Sequence, residues 1–186
     1  MMNEIWPDIS HKERDAYYQA GHAIVALRES LEVVQVSIED QDNIVTSWID
    51  LTYPNLDQAR LNRSIATHTD TTSVIRALLA GPAALLRYSF GTCSQARHPT
   101  DFNLADPWMA EQEAVWRAIS LAGKASDDSP SLIRGLWREI NCLIQGNEVW
   151  PAIEAVANML LITDELTGYE VAEIARHALG SNTARF

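Results

Sequence analysis

Ala16-Tyr17-Tyr18-Gln19-Ala20-Gly21-His22-Ala23-Ile24-Val25-Ala26 is the stretch on which the reading of this chain turns. Ala16, Ala20, Ile24 and Leu27 recur at helical spacing and form one apolar stripe, while Ala23 and Ala26 let a neighbouring element approach closely. Upstream, Ser10-His11-Lys12-Glu13 has the Ser-x-x-Glu pattern in which a hydroxyl and a carboxylate satisfy free backbone donors at a helix start. The helix is therefore expected from about His11 to about Glu29. Tyr18 and His22 are one turn apart and share a face, and Gln19 lies three residues before His22.

Downstream the period changes. Val33-Val34-Gln35-Val36-Ser37-Ile38 and Ile44-Val45-Thr46-Ser47-Trp48-Ile49 are rich in β-branched residues, and Asp40-Gln41-Asp42-Asn43 between them predicts a β-hairpin. Leu51 to Asn55 ends it, and a short polar helix is expected around residues 56–67. A strongly apolar helix should start at Thr71 or Thr72, run to Gly81-Pro82 and resume as Ala83 to Tyr88, because a proline removes a donor and kinks or restarts a helix. After the loop Gly91 to Pro99, Thr100 reads as the N-cap of a long amphipathic helix with Phe102, Ala105, Met109, Val115, Trp116 and Ile119 facing inward. Three more helices follow. One runs from Pro130 to about Gln145 with Gly146 as cap, and one starts at Trp150-Pro151 with Ile153, Val156, Ala157, Leu160 and Leu161 at helical spacing. The last opens at the second capping box, Thr167-Gly168-Tyr169-Glu170, and stops at Gly180. The expected fold is mainly α, an α+β arrangement with one small hairpin after the first long helix.

The 186 residues, 47% of them hydrophobic, suffice for one sizeable core, and no Pro/Ser/Gly-rich linker divides residues 1–186, so a single domain is expected. Cys93 and Cys142 are too few for a disulfide framework, and no apolar signal segment follows Met1, which favours a cytoplasmic protein with free thiols. No apolar run approaches the roughly 20 residues that span a bilayer, so no membrane insertion is expected. A formal charge of -11 repels phosphate backbones and anionic lipid, which argues against nucleic acid as a partner. The six tryptophans, Trp6, Trp48, Trp108, Trp116, Trp137 and Trp150, read as core and interface anchors, with Trp6 and Trp108 the best candidates for exposure at a partner surface.

Read together, these blocks resemble the peptidase domain of the FtsH-type ATP-dependent zinc metalloproteases, from about Glu13 to Leu179. The helix Ala16 to Ala26 is similar to that family's Tyr-His-Glu-Ala-Gly-His-Ala pattern, and Leu78 to Ala84 to its Leu-Ala-Gly-Arg-Ala-Ala-Glu segment. Thr100-Asp101-Phe102-Asn103-Leu104-Ala105 stands where the family has Asn-Asp-Leu, and the tail from Trp150 to Val171 is similar to its closing helix pair. In His-Glu-x-x-His, two imidazoles one turn apart bind zinc and the Glu activates a water. Here the five are Tyr18-Gln19-Ala20-Gly21-His22. Tyr18 replaces the first imidazole with a phenol, a reluctant ligand with a pKa of about 10. Gln19 stands at the general-base position, and an amide cannot take the proton of an attacking water. Pro82 replaces the family's Arg and Leu85 its Glu, and no Gly-x-x-x-x-Gly-Lys-Ser/Thr loop is present, so no ATP is expected.

The resemblance implies that His22 and Asp101 are the remnant metal positions, Asp101 matching the third zinc ligand, with Tyr18 at the lost ligand position. His22 can equally be a histidine packed between helices, and a zinc site needs three or four protein ligands where this pattern offers two. Asp101 can equally be a first-turn acid offsetting a helix dipole. His98, three residues before Asp101, is either a substitute imidazole or an exposed loop residue. The expected function is that of an inactive peptidase-like domain, a pseudoprotease serving protein binding or assembly, either with another protein or by self-association. The alternatives are a metal-dependent hydrolase with a rearranged zinc site using His22 and Asp101, and a helical scaffold with no site.

Overall fold

The structure is a computed structural model, and it describes residues 9–41, 44–50, 68–91 and 113–180. The predicted short helix at 56–67, His98, Asp101, the Thr100 cap, Trp6 and Trp108 lie outside the described residues. Helix α1 spans His11–Arg28, and strands β1 and β2 span Gln35–Gln41 and Ile44–Asp50. Four further helices follow: α2 His68–Phe90, α3 Glu113–Ala125, α4 Ser129–Gln145 and α5 Trp150–Thr163. A short strand β3, Glu165–Thr167, leads into α6, Gly168–Leu179. The described chain is mainly helical with a small antiparallel hairpin after the first helix.

Both predicted capping boxes form. Ser10 Oγ accepts from the Glu13 amide at 3.2 Å while Glu13 Oε2 accepts from the Ser10 amide at 3.1 Å, and Thr167 and Glu170 repeat the pattern at the start of α6. The Asp128 carboxylate accepts from the Ser131 amide at 3.3 Å and starts α4, one residue before the predicted Pro130.

Helix α2 departs from expectation. It begins at His68 rather than Thr71 and continues through Pro82 as one element to Phe90. An interior proline forfeits one backbone bond and costs about 3 kcal/mol in isolation. Here Ala77, Leu78, Leu79, Ala80, Ala83, Ala84, Leu85 and Leu86 are all buried around it. Burying a single Leu side chain contributes about 1.5–3 kcal/mol, so packing on both sides of Pro82 outweighs the lost bond.

The sheet is larger than the hairpin alone. Its order is β2-β1-β3, with β1 antiparallel to both neighbours, and the hairpin register pairs Gln35 with Asp50 and Gln41 with Ile44. Asp40 and Gln41, expected in the turn, thus belong to β1, and Val33 and Val34 precede it. The Val34 carbonyl accepts from the Gly168 amide at 2.8 Å, and Val36 faces the buried Leu166 of β3 across the ladder. Three residues carry too little period-two signal to be read as a strand in advance.

Helix α1 packs against α2, α5, α6 and both hairpin strands, and α2 in turn packs against α3 and α4. The described core therefore surrounds the α1–α2 crossing. Small residues set its closeness. A Cβ on Gly21 would fall 2.6 Å from Ala84 Cβ and 2.7 Å from the Ala80 carbonyl oxygen. On α3, Val115, Ala118, Leu121 and Ala122 are buried, whereas Trp116, predicted to face inward, is 51% exposed. Val115 and Trp116 are consecutive and point about 100° apart on a helix, so both cannot sit on one stripe.

Candidate functional site

Tyr18, Gln19 and His22 of α1 take different environments. His22 is buried, and its Nδ1 lies 2.6 Å from the Ala77 carbonyl oxygen on α2. A carbonyl only accepts, so Nδ1 carries the proton and donates. Burial pushes the imidazole down to about 4, more strongly than the Ala77 hydrogen bond pushes it up, with Arg117 adding to the decrease. The ring is neutral at pH 7, and Nε2 is its unprotonated nitrogen. Gly81 lies against the ring on its Nε2 side, where a Cβ would overlap Nε2, Cε1 and Cδ2 together. Gly81, quoted in the sequence as one member of a segment, is thus the seat of His22.

Tyr18, half-buried, presents its ring edge-on to His22, with centroids 4.6 Å apart and planes at 88°. The phenol therefore stands next to the imidazole, as their one-turn spacing requires. Gln19 is buried, and its Oε1 has no hydrogen-bond partner among the described residues. The neighbouring backbone donors of α1 are already committed to i→i−4 bonds, which leaves the amide oxygen nothing within its own helix. Asp15, one turn before Gln19, joins the same face of α1. Burial raises its carboxyl to about 6 against the lowering influence of Arg14 and His11. Sequence reasoning passed over Asp15, although its spacing of four to Gln19 and seven to His22 was the signal that could have found it.

The arrangement has a definite chemical character. A ligating histidine gives its second N–H to a backbone carbonyl or carboxylate, which fixes the tautomer and frees the other nitrogen. His22 has that hydrogen bond and that tautomer. The neighbouring groups do not complete a metal site: among the described residues no three His, Cys, Asp or Glu side chains gather where they could hold an ion. The residues present on α1 thus offer zinc one suitable nitrogen. Asp101 lies outside the described residues. Gln19 supplies an oxygen that accepts hydrogen bonds without becoming a base.

A second polar cluster lies at the far end of α2. Arg87 is buried, and its Nη1 donates to the carbonyls of Ile144 and Gly146, the latter at 2.6 Å, while Nη2 reaches Asn147 Oδ1 at 3.3 Å. These bonds satisfy carbonyls left open at the end of α4. The guanidinium also sits 4.3 Å from the Trp150 ring centroid. Trp150 stacks on Tyr17, Tyr17 on Tyr88 at 3.6 Å, and the Tyr88 hydroxyl donates to Glu13 Oε1 at 3.3 Å. The ladder ties α1, α2, α4 and α5 together and reads as structural.

No protein-family model matches this chain, and no curated protein matches it at a significant level. No helix among the described residues is long and apolar enough to cross a membrane.

Proposed function

We propose that this chain is a peptidase-like domain of the FtsH type that has lost its chemistry and serves protein binding or assembly. The observation that carries the reading is the state of the α1 face. His22 keeps the Nδ1–H bond and the tautomer of a metal ligand, while the neighbouring general-base position holds Gln19, whose buried Oε1 cannot take a proton from water. Tyr18 occupies the place of the missing imidazole, and its ring packs on His22. Gln19 Oε1 has no hydrogen-bond partner among the described residues, the kind of local disadvantage expected where a working site has been replaced without full repacking.

The test combines metal content by mass spectrometry with casein cleavage, first on the natural chain and then on Tyr18→His with Gln19→Glu. The natural chain is expected to bind no stoichiometric zinc and to cleave nothing. The double substitution restores both missing groups within one turn of His22, whose Nδ1 is already held by the Ala77 carbonyl, and is expected to take up zinc. One zinc per natural chain, together with cleavage abolished by Gln19→Ala, would sink the proposal.

A further inference from the structure

Five large apolar side chains are exposed among the described residues, and four of them, Val34, Met159, Ile162 and Tyr169, lie on the end of α5, the start of α6 and the entry to β1. These segments adjoin one another, since the Gly168 amide bonds the Val34 carbonyl and Gln35 pairs with Thr167. Ile162 and Tyr169 are 76% and 75% exposed, so their side chains contribute almost nothing to the core. Glu32 and Glu165 are exposed beside these side chains, and Glu170 caps the start of α6. Lys12, which reaches this corner from α1, is engaged by Asp164 at 2.6 Å and by the Leu161 carbonyl at 3.2 Å.

We infer that this corner is a docking surface for a protein segment that presents apolar side chains flanked by lysines or arginines. An apolar centre with a polar rim is the anatomy of a protein interface, and an acidic rim selects a basic partner by steering its encounter. A second copy of this chain is disfavoured, because the same acidic corner would face itself in a symmetric pair. Anionic lipid is disfavoured by the same sign of charge. The inference rests on the protein-binding half of the proposed function and is independent of whether α1 descends from a zinc site.

The probe is a fluorescein-labelled amphipathic helical peptide of leucine and lysine, about five turns long, titrated with the full chain by anisotropy at low and moderate salt. The natural chain is expected to bind it, and Ile162→Asp with Tyr169→Ser to bind at least ~10-fold more weakly, as for loss of central apolar anchors. Glu32→Gln with Glu165→Gln is expected to weaken binding at low salt and to flatten its salt dependence. Because the four substituted side chains are exposed, circular dichroism and urea midpoints should match the natural chain. Binding that is absent, or unchanged in both variants, overturns the inference. So does a concentration-dependent dimer in sedimentation velocity that Ile162→Asp abolishes, which would assign the corner to a second copy. Zinc uptake by the double α1 variant bears on the proposed function alone, so the two readings fail separately.

Discussion

The Nδ1 of His22 on α1 donates across the helix crossing to the Ala77 carbonyl of α2 at 2.6 Å, and Gly81, one turn beyond Ala77, forms the floor on which the imidazole rests. The two helices are therefore joined by a hydrogen bond and by a notch that depends on the absence of a side chain. Gly21 reciprocates from α1 by admitting Ala80 and Ala84.

Gly81→Ala places a methyl group inside the His22 ring and must push the helices apart or expel the imidazole. A loss of about 2–4 kcal/mol is expected, on the scale of overpacked cores with a broken buried hydrogen bond. Urea unfolding measures it. A Gly81→Ala protein as stable as the natural one would show that the ring is not held by this notch.

Gly168→Ala is expected to be as severe for a different reason. A Cβ there would overlap the Val33 carbonyl oxygen, while the Gly168 amide donates to the Val34 carbonyl at 2.8 Å. The start of α6 would have to leave the sheet. Loss of native-state amide protection in α6 and at β3, with α4 protected, is the expected pattern in hydrogen exchange.

The buried imidazole makes stability depend on pH. The unfolded chain binds the His22 proton at an ordinary pKa of 6.5, whereas the folded chain refuses it until about 4. Between those values the unfolded state holds more protons, so stability falls as the pH drops from about 6.5 to about 4 and is unaffected above that window. The full effect is about 3 kcal/mol, since a tenfold change in proton affinity corresponds to about 1.36 kcal/mol. His22→Gln should lack this acid slope in urea midpoints measured across the window.

Asp15 acts with the opposite sign. Burial raises its carboxyl to about 6, so the fold favours the protonated form, and its contribution is present below the ordinary value of 3.8 and lost as the pH rises through 6. Asp15→Asn is expected to stabilise the protein at a pH of about 8 and to change little near the ordinary carboxylate pKa of about 4. A gain that is equal at both pH values would remove ionisation as the cause.

Arg87→Lys keeps the charge and loses the fork. Lysine cannot serve Ile144, Gly146 and Asn147 together while lying flat on Trp150, so a loss of about 1–3 kcal/mol is expected in thermal or urea unfolding. The near-ultraviolet circular dichroism of the Trp150, Tyr17 and Tyr88 stack should change with it.

Local chemistry was legible where the residues carried their own instructions. Ser10 with Glu13 and Thr167 with Glu170 marked two helix starts, Pro130 a third to within one residue, and the β-branched runs a hairpin, because caps and periodicity act over a few residues. The one-turn spacing of Tyr18 and His22 put their rings in contact, and the chemistry of Gln19 as a non-base followed from its amide alone. Tertiary structure decided the rest. It carried α2 through Pro82 because burial on either side outweighs one missing hydrogen bond, and it added β3 because three residues acquire a strand conformation only by pairing with β1. It also turned Trp116 outward, gave His22 its neutral tautomer through the Ala77 carbonyl, and left Gln19 Oε1 without a partner among the described residues. Each of these depends on which groups a second helix or strand brings within about 4 Å, and contacts between residues distant in the chain are set by packing of the whole core.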